Sequence, residues 1–463
     1  MVVVGAGICG LLAAHRLTQA GHDVVVVEAK DRVGGRLENV EIDGHPGKIL
    51  ELGGQWFGEG QDELLALARE LECSWFEVYV EGDALLHRAG RTERFAFSED
   101  AESFSPGAPL PPEQQAEFDR VVKLIEQLSA EVPPDAPWDA PEADAWDSIT
   151  FQSWIEQQVG GDAAMVQVFR RYFAFYQVSL INRYSLLNIL HYIASIGSFE
   201  LLQTAEQYQF TGGFLALCDR LAERLGDRVK LGTPVASIDQ TGDRVVVTAK
   251  DGSTFAGREC VVAMAPFDAR FIEFTPALPG RRDYVHRNYQ TVNVIKVFAV
   301  YDEPFWRSEG LSGIVYSDRP VATFALDSSP AGGDPGVLMT YLSTPGDGEW
   351  SISDELDADP DARREAVLES FAAYFGPRAA RPKQYIERDW HDVPYSAGVI
   401  TTMPPGFLTR AAHGMKDPVG RIHWCHAELA SHWGLGVWVN GGVEYADRTA
   451  AAVGARLGTP AGA

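Results

Sequence analysis

The sequence predicts an α/β protein of more than one domain that opens on a strand–turn–helix–strand unit. Three observations carry this expectation. The chain has 463 residues, and single hydrophobic cores rarely grow beyond about 250–300 residues before a chain splits into domains. Hydrophobic residues make up 46% and charged residues 22%, the balance of a globular chain and not of a disordered or collagen-like one. The first 28 residues place a glycine-rich turn between two runs of valine, with an acid at the end of the second.

That opening unit is the most specific signal. Val2, Val3 and Val4 read as a short buried strand, and Gly5-Ala6-Gly7-Ile8-Cys9-Gly10 is G-x-G-x-x-G. Residues 11–20 read as a helix, with Leu11, Leu12, Ala14 and Leu17 on one face. Residues 21–23 turn the chain, and residues 24–27 read as a second buried strand that ends at Glu28. Glu28 lies 28 − 10 = 18 positions past the last glycine, close to the roughly 20 expected of a ribose-binding acid. Gly5 permits the tight turn, Gly7 lets backbone approach a pyrophosphate, and Gly10 lets helix and strand pack closely. The helix N-terminus offers free N–H groups and a positive dipole end to phosphates. G-x-G-x-x-G alone would be an ordinary glycine loop; the flanking strands and Glu28 make it a Rossmann-type unit. Gly34-Gly35-Arg36 and Gly53-Gly54-Gln55-Trp56 follow, with Arg36 able to face a phosphate.

The rest of the chain reads in order. Residues 99–150 are rich in proline and acid, with one amphipathic helix through Phe118, Val121, Val122, Ile125 and Leu128. Residues 151–205 are helical and aromatic, and core packing accounts for them. Gly212 and Gly213 precede a helix at 215–225. Strands follow at 229–231, 235–238 and 245–248, the last turning through Asp251-Gly252 into a strand at 260–264. Strands are expected across 290–325 and 337–345, a helix at 359–376, and strand, glycines and helix across 421–453.

Charge and cysteine content narrow the partners. Asp and Glu number 65 against 39 Lys and Arg, a net charge of −26. No basic run tracks phosphates, which argues against nucleic acid. The acidic surface either steers cationic small molecules or simply keeps the chain soluble. The five cysteines are scattered without a C-x-x-C pair, which argues against a disulfide framework and a structural zinc, so no metal site is expected. No signal peptide or run of about 18 apolar residues is visible, so the reading is a cytoplasmic protein with no membrane span. Residues 457–463 read as a short flexible tail and not an anchor.

Several separated stretches together resemble the flavin-containing amine oxidases, of the monoamine, polyamine and nicotine oxidase type. They are the opening unit with Glu28, Gly34-Gly35-Arg36, Gly53-Gly54-Gln55-Trp56, Val294-Ile295-Lys296-Val297 with Pro304-Phe305-Trp306, the stretch 395–406, and the closing stretch 421–450. The resemblance implies a Rossmann-type FAD-binding domain assembled from residues 1–75, 210–270 and 385–463. It implies an α+β substrate domain from 76–209 and 271–384, with a helical excursion. Gly5, Gly7, Gly10, Glu28, Gly35 and Arg36 would hold the ADP half and pyrophosphate, with Gly54 and Gln55 beside the cofactor. Val235 matches a position near the adenine, Glu428 one near the ribityl and pyrophosphate, and Gly442 and Val443 the helix start that faces the flavin pyrimidine. Lys296 matches the lysine that holds a water beside flavin N5, and a buried lysine titrates low. Trp390 matches an aromatic near the flavin, with a structural tryptophan as the rival reading.

The departures from the family pattern are informative. Val399 stands where relatives with covalent flavin carry cysteine, which implies noncovalent FAD; Cys425 is out of register. Ile400 replaces one tyrosine of the pair that sandwiches the amine, and residues 434–439 differ in length, with Trp438 as a candidate aromatic wall. His426 stands at a usual glycine, either touching the cofactor or simply accommodated. The resemblance implies hydride removal from the carbon beside an amine nitrogen, giving an imine and reduced flavin that O2 reoxidises to H2O2. The alternative is a flavin-dependent tailoring enzyme (desaturase, amide oxidase or cyclase) for a larger metabolite, and a third reading is a noncatalytic flavin-fold binding protein. A homodimer is possible.

Overall fold

A computed structural model describes residues 1–96, 109–177, 180–346, 348, 350–396, 398–433 and 438–458. Residues 434–437, the tail 459–463 and the part of the proline-rich stretch at 97–108 lie outside the described residues.

The opening unit forms as its sequence dictates. β1 (Val2–Val4) is fully buried, α1 (Ile8–Gln19) follows directly on the glycine turn, and β2 (Val25–Val27) pairs with β1 in parallel. Valine runs buried on both faces suit a parallel sheet with helices on either side. The completed sheet has five parallel strands in the order Ile422–Trp424, Cys260–Val262, β1, β2, Val229–Lys230. Its strands come from three widely separated stretches of chain. α1 buries Leu11, Leu12, Ala14 and Leu17 against this sheet and the last helix, Val439–Leu457.

A second sheet of seven strands runs Gln384–Asp389, Ile295–Tyr301, Gly336–Leu342, Phe324–Asp327, Leu311–Ser317, Asp83–Arg88, Arg91–Ala96. Its pairings are antiparallel except that of Leu311–Ser317 with Asp83–Arg88. All seven residues of Ile295–Tyr301 are buried. Strand alternation sends Ile295, Val297, Ala299 and Tyr301 into one core cluster and Val294, Phe298 and Val300 into another. Lys296 therefore lies on the Phe298 face. The helices Pro112–Ser129, Phe151–Gln158, Ala163–Gln177 and Leu186–Ile196 form a layer through Phe118, Phe151, Phe169 and Phe173.

Two local expectations need correction. The Asp251-Gly252 turn does not lead into the parallel strand: it joins Val245–Ala249 to an additional strand, Thr254–Gly257, antiparallel to it. Thr254, Phe255 and Ala256 lack the apolar run that marked the other strands. The last helix begins at Val439 and not at Gly442, so Gly442 falls in its first turn and Val443 just beyond.

Candidate active site

One cavity of about 700 Å³ lies between the two sheets, lined from Glu28 and Val235 at one end to Lys296 and Tyr341 at the other. A cavity of this size suits an organic ligand of cofactor dimensions.

The three motif glycines divide the labour by position. A Cβ on Gly5 would stand 2.7 Å from the Ala263 carbonyl oxygen, and its φ of +104° excludes ordinary side chains. A Cβ on Gly10 would stand 2.0 Å from the Gly5 oxygen, so this glycine lets α1 close on the sheet and does not line the cavity. A Cβ on Gly7 would meet nothing nearer than the Gly34 oxygen at 3.9 Å and would fill cavity space. α1 starts at Gly7 with no side-chain cap and no acid in its first turn. The last helix starts the same way at Trp438, and Gly442 in its first turn also lines the cavity. Two helix N-termini thus present orphan N–H groups and positive dipole ends to one space.

Glu28 closes this end. Its Oε2 accepts from the Ala6 N–H at 2.6 Å and its Oε1 from the Lys30 N–H at 2.9 Å, which leaves lone pairs for a diol. Gly35, Arg36, Gly54, Gln55 and Val235 also line the cavity. Arg36 donates to the Val399 carbonyl at 3.0 Å and pairs with Glu428 at 2.9 Å. Glu428 lies outside the lining, behind Arg36, with its side chain fully buried. Burial alone would raise its pKa, but Arg36 and His426 outweigh that and hold it down at about 2. Val443 is buried in the core beside α1 and does not line the cavity.

His426 adopts an ordinary extended backbone (φ −153°, ψ 155°), so the side chain needs no glycine-like conformation. Its ring lines the cavity with Nδ1 at 3.1 Å from Glu428 Oε2. Burial lowers its pKa against the opposing pull of Glu428. A neutral ring facing a carboxylate carries its proton on Nδ1, an assignment made from the hydrogen-bond network. Nε2 is then an acceptor, and it has no partner among the described residues.

At the other end Lys296 is 2% exposed. Its Nζ donates to the Gly53 carbonyl at 3.0 Å and lies 5.2–5.8 Å from the ring centres of Trp56, Phe298 and Tyr341. Burial drives its pKa down to about 7, against the pull of Glu51 and Glu206. Trp390 is held by its Nε1 donating to the Leu52 carbonyl at 2.8 Å. Trp438 is held by its Nε1 donating to the Tyr192 hydroxyl at 3.0 Å and by an edge contact with Trp433. Ile400 and Val399 complete this wall, and Cys425 does not line the cavity.

Lys296, Trp390, Trp438, Ile400, Gly5, Gly7, Glu28, Gly35, Arg36, Gly54, Gln55, Val235 and Gly442 therefore converge on one space, while Gly10, Glu428 and Val443 stand behind it. The lining residues that the sequence reading did not assign to the site include Tyr176, Glu206 and Tyr341. Tyr176 and Tyr341 look like core aromatics in sequence. Glu206 gave one weak signal, an acid between the apolar helix Phe199–Gln203 and the strand Tyr208–Phe210.

Residues 8–454 match the model of the flavin-containing amine oxidoreductase family. The chain is 31% identical to a probable flavin-containing monoamine oxidase A of Dictyostelium discoideum, over 94% of this chain and 93% of that one. It is 30% identical to amine oxidase [flavin-containing] B of Sus scrofa, over 97% and 85%. Among solved structures it resembles wild-type putrescine oxidase bound to putrescine, with a TM-score of 0.86 at 30% identity over 98% of both chains. It also resembles cyclohexylamine oxidase from Brevibacterium oxydans, with a TM-score of 0.86 at 29% identity over 98% of both. The chain belongs to the flavin-containing amine oxidoreductase family: it is an FAD-dependent oxidoreductase acting on amines.

Proposed function

We propose that this member of the family is an oxidase that holds FAD noncovalently and removes hydride from the carbon beside an amine nitrogen, giving an imine, with O2 as the final acceptor and H2O2 as its product. The observation that carries the reading is the pairing, in one cavity, of two uncapped helix N-termini with a buried, aromatic-walled Lys296. The residues present fit FAD: the open space at Gly7, the cation of Arg36 and the diol-accepting Glu28 suit a dinucleotide's phosphates and ribose. FAD, when bound, supplies a two-electron acceptor at the carbon and reduces O2.

The chain's own residues do the rest. Gly7 and the first turns of α1 and of Val439–Leu457 hold phosphate and carbonyl oxygens with backbone N–H groups. His426 Nε2, an acceptor, suits a hydroxyl of the ribityl chain and not a phosphate oxygen. Val399 offers no nucleophilic atom for a covalent link. Lys296 is near half-protonated at neutral pH, so its Nζ moves a proton at little cost. Trp390, Trp438, Ile400 and Tyr341 exclude water and orient an amine. The division into a cofactor domain from 1–75, 210–270 and 385–463 and a substrate domain from 76–209 and 271–384 is part of the proposal. The three-stretch origin of the parallel sheet supports it. No helix among the described residues is long and apolar enough to cross a membrane.

The test is the visible spectrum of purified protein, recorded without oxygen before and after a panel of amines. Bleaching of an oxidised-flavin band by an amine, and H2O2 on readmitting air, is the expected result. A flavin band that no simple amine bleaches, but a bulky nitrogen metabolite does, replaces this reading with the tailoring enzyme.

A further inference from the structure

Three carboxylates line the cavity among the described residues: Glu28, Asp268 and Glu206. Glu28 is committed to the backbone N–H groups of Ala6 and Lys30. Asp268 faces Lys30 and Arg36 at the parallel-sheet end. Glu206 stands at the opposite end, on the short connection between Phe199–Gln203 and Tyr208–Phe210. Its Oε2 is buried and has no hydrogen-bond partner among the described residues. It faces Lys296 from the strand Ile295–Tyr301, Tyr341 from Gly336–Leu342 and Tyr176 from Ala163–Gln177. Glu51, the other acid near Lys296, lies outside this cavity and accepts from the Phe214 N–H at 2.6 Å. A buried carboxylate oxygen without a partner costs free energy unless a ligand supplies one.

An alkylamine arrives mainly as its ammonium, and a carbon beside an ammonium does not give up hydride. The nitrogen must lose a proton inside the cavity or before entering it. We infer that Glu206 is the catalytic residue that draws the substrate's ammonium to the Lys296 end of the cavity and takes its proton. One N–H bond of the ammonium breaks, one O–H bond forms on the Glu206 carboxyl, and no electrons change hands. The neutral amine and the carboxylic acid remain hydrogen-bonded as a pair. Lys296 is the weaker candidate, because its charged form repels an ammonium and its Nζ is already engaged with the Gly53 carbonyl. Burial raises the Glu206 carboxyl to about 8, against the pull of Lys296, which brings it toward the basicity of an amine and makes the exchange easy. A substrate arriving as the free amine meets the acid form and reaches the same pair.

This inference rests on the amine-oxidation reading, and the experiment separates the two. FAD-loaded wild type and Glu206→Gln are mixed without oxygen with pentylamine and 2,2-difluoropentylamine, or with 2-phenylethylamine and its 2,2-difluoro analogue. The pair that wild type bleaches is used. The fluorinated ammonium is far more acidic, so a large share of it is already the free amine at neutral pH without help. The expected result is a loss of about tenfold to a hundredfold in the bleaching rate of Glu206→Gln with the parent amine, and less than about threefold with the fluorinated one. The variant's rate with the parent amine then rises with pH as the free amine accumulates. Equal losses with both amines, or no loss with either, overturn the inference while amine oxidation stands. If no amine bleaches wild type, the amine-oxidation reading fails and this inference with it. FAD content equal to wild type verifies that the isosteric variant is folded. Glu206→Asp, which keeps the carboxylate, is expected to recover part of the selective loss, and a loss identical to that of Glu206→Gln overturns the assignment.

Discussion

Gly7 and Lys296 line the same cavity but are installed by different means. At the Gly7 end the walls are mostly backbone: a tight turn, two helix N-termini and glycines whose missing side chains leave room. At the Lys296 end the walls are side chains that arrive from separate stretches of chain, namely Trp56, Tyr176, Glu206, Tyr341 and Trp390. Backbone binding is insensitive to most substitutions but intolerant of a single added Cβ. Side-chain chemistry tolerates change in shape but depends on a few titrating groups. The contrast says that the first end sets whether the protein holds its cofactor, and the second sets what it does with it.

The sharpest way to break that contrast is to remove the cation that pairs with the buried Glu428 at the first end. Arg36→Met leaves Glu428 fully buried without its cation. It is expected to cost about 3–5 kcal/mol, seen as loss of bound FAD on desalting and a lower midpoint in urea. Next, Lys296→Met is expected to retain FAD yet slow turnover about 100-fold, measured by stopped flow in the reductive and oxidative half-reactions. Loss of FAD in that variant would show that the two ends are not separable. The glycines sharpen the comparison within one motif. Gly10→Ala drives a Cβ into the Gly5 oxygen and is expected to destabilise the fold by about 1–3 kcal/mol. Gly7→Ala has room in the empty protein and is expected to leave its melting unchanged while weakening FAD affinity, measured by titration of apoprotein.

The smallest effect concerns pH. Burial raises Glu51 to about 8, against its hydrogen bond from Phe214 and the charge of Lys296. A carboxyl raised in the folded state binds more protons there than when unfolded, so its contribution to stability falls as pH rises from its unfolded value toward 8. Glu51→Gln removes that loss. Its melting temperature relative to wild type is expected to climb between pH 5 and pH 8 by about 2 °C; a gap that stays constant would refute the buried-acid account.

The same contrast explains what the sequence revealed. Gly5, Gly7, Gly10 and Glu28 are read within one supersecondary unit, because backbone cradles need particular residue types at fixed local spacing. Lys296 was recognisable because a lysine inside an apolar run is anomalous wherever the strand goes. Tyr176, Glu206 and Tyr341 carry no such local mark: they meet only when the helical layer is laid over the antiparallel sheet. The strand Thr254–Gly257 escaped for a related reason. It is half-exposed at the edge of a small sheet and lacks the hydrophobic run that identified the buried strands.

The three-stretch origin of the parallel sheet also has a temporal meaning. At ~5–20 residues per second of synthesis, Ile422–Trp424 emerges about 20–80 s after Val2–Val4. Until then Cys260–Val262 is an open edge, its hydrogen-bonding groups free to recruit another chain. The last helix, which closes over the glycine turn, arrives later still. A growing chain therefore cannot complete the cofactor's cradle until Val439–Leu457 has been made, so the cofactor, once captured, ties together stretches of polypeptide made far apart in time.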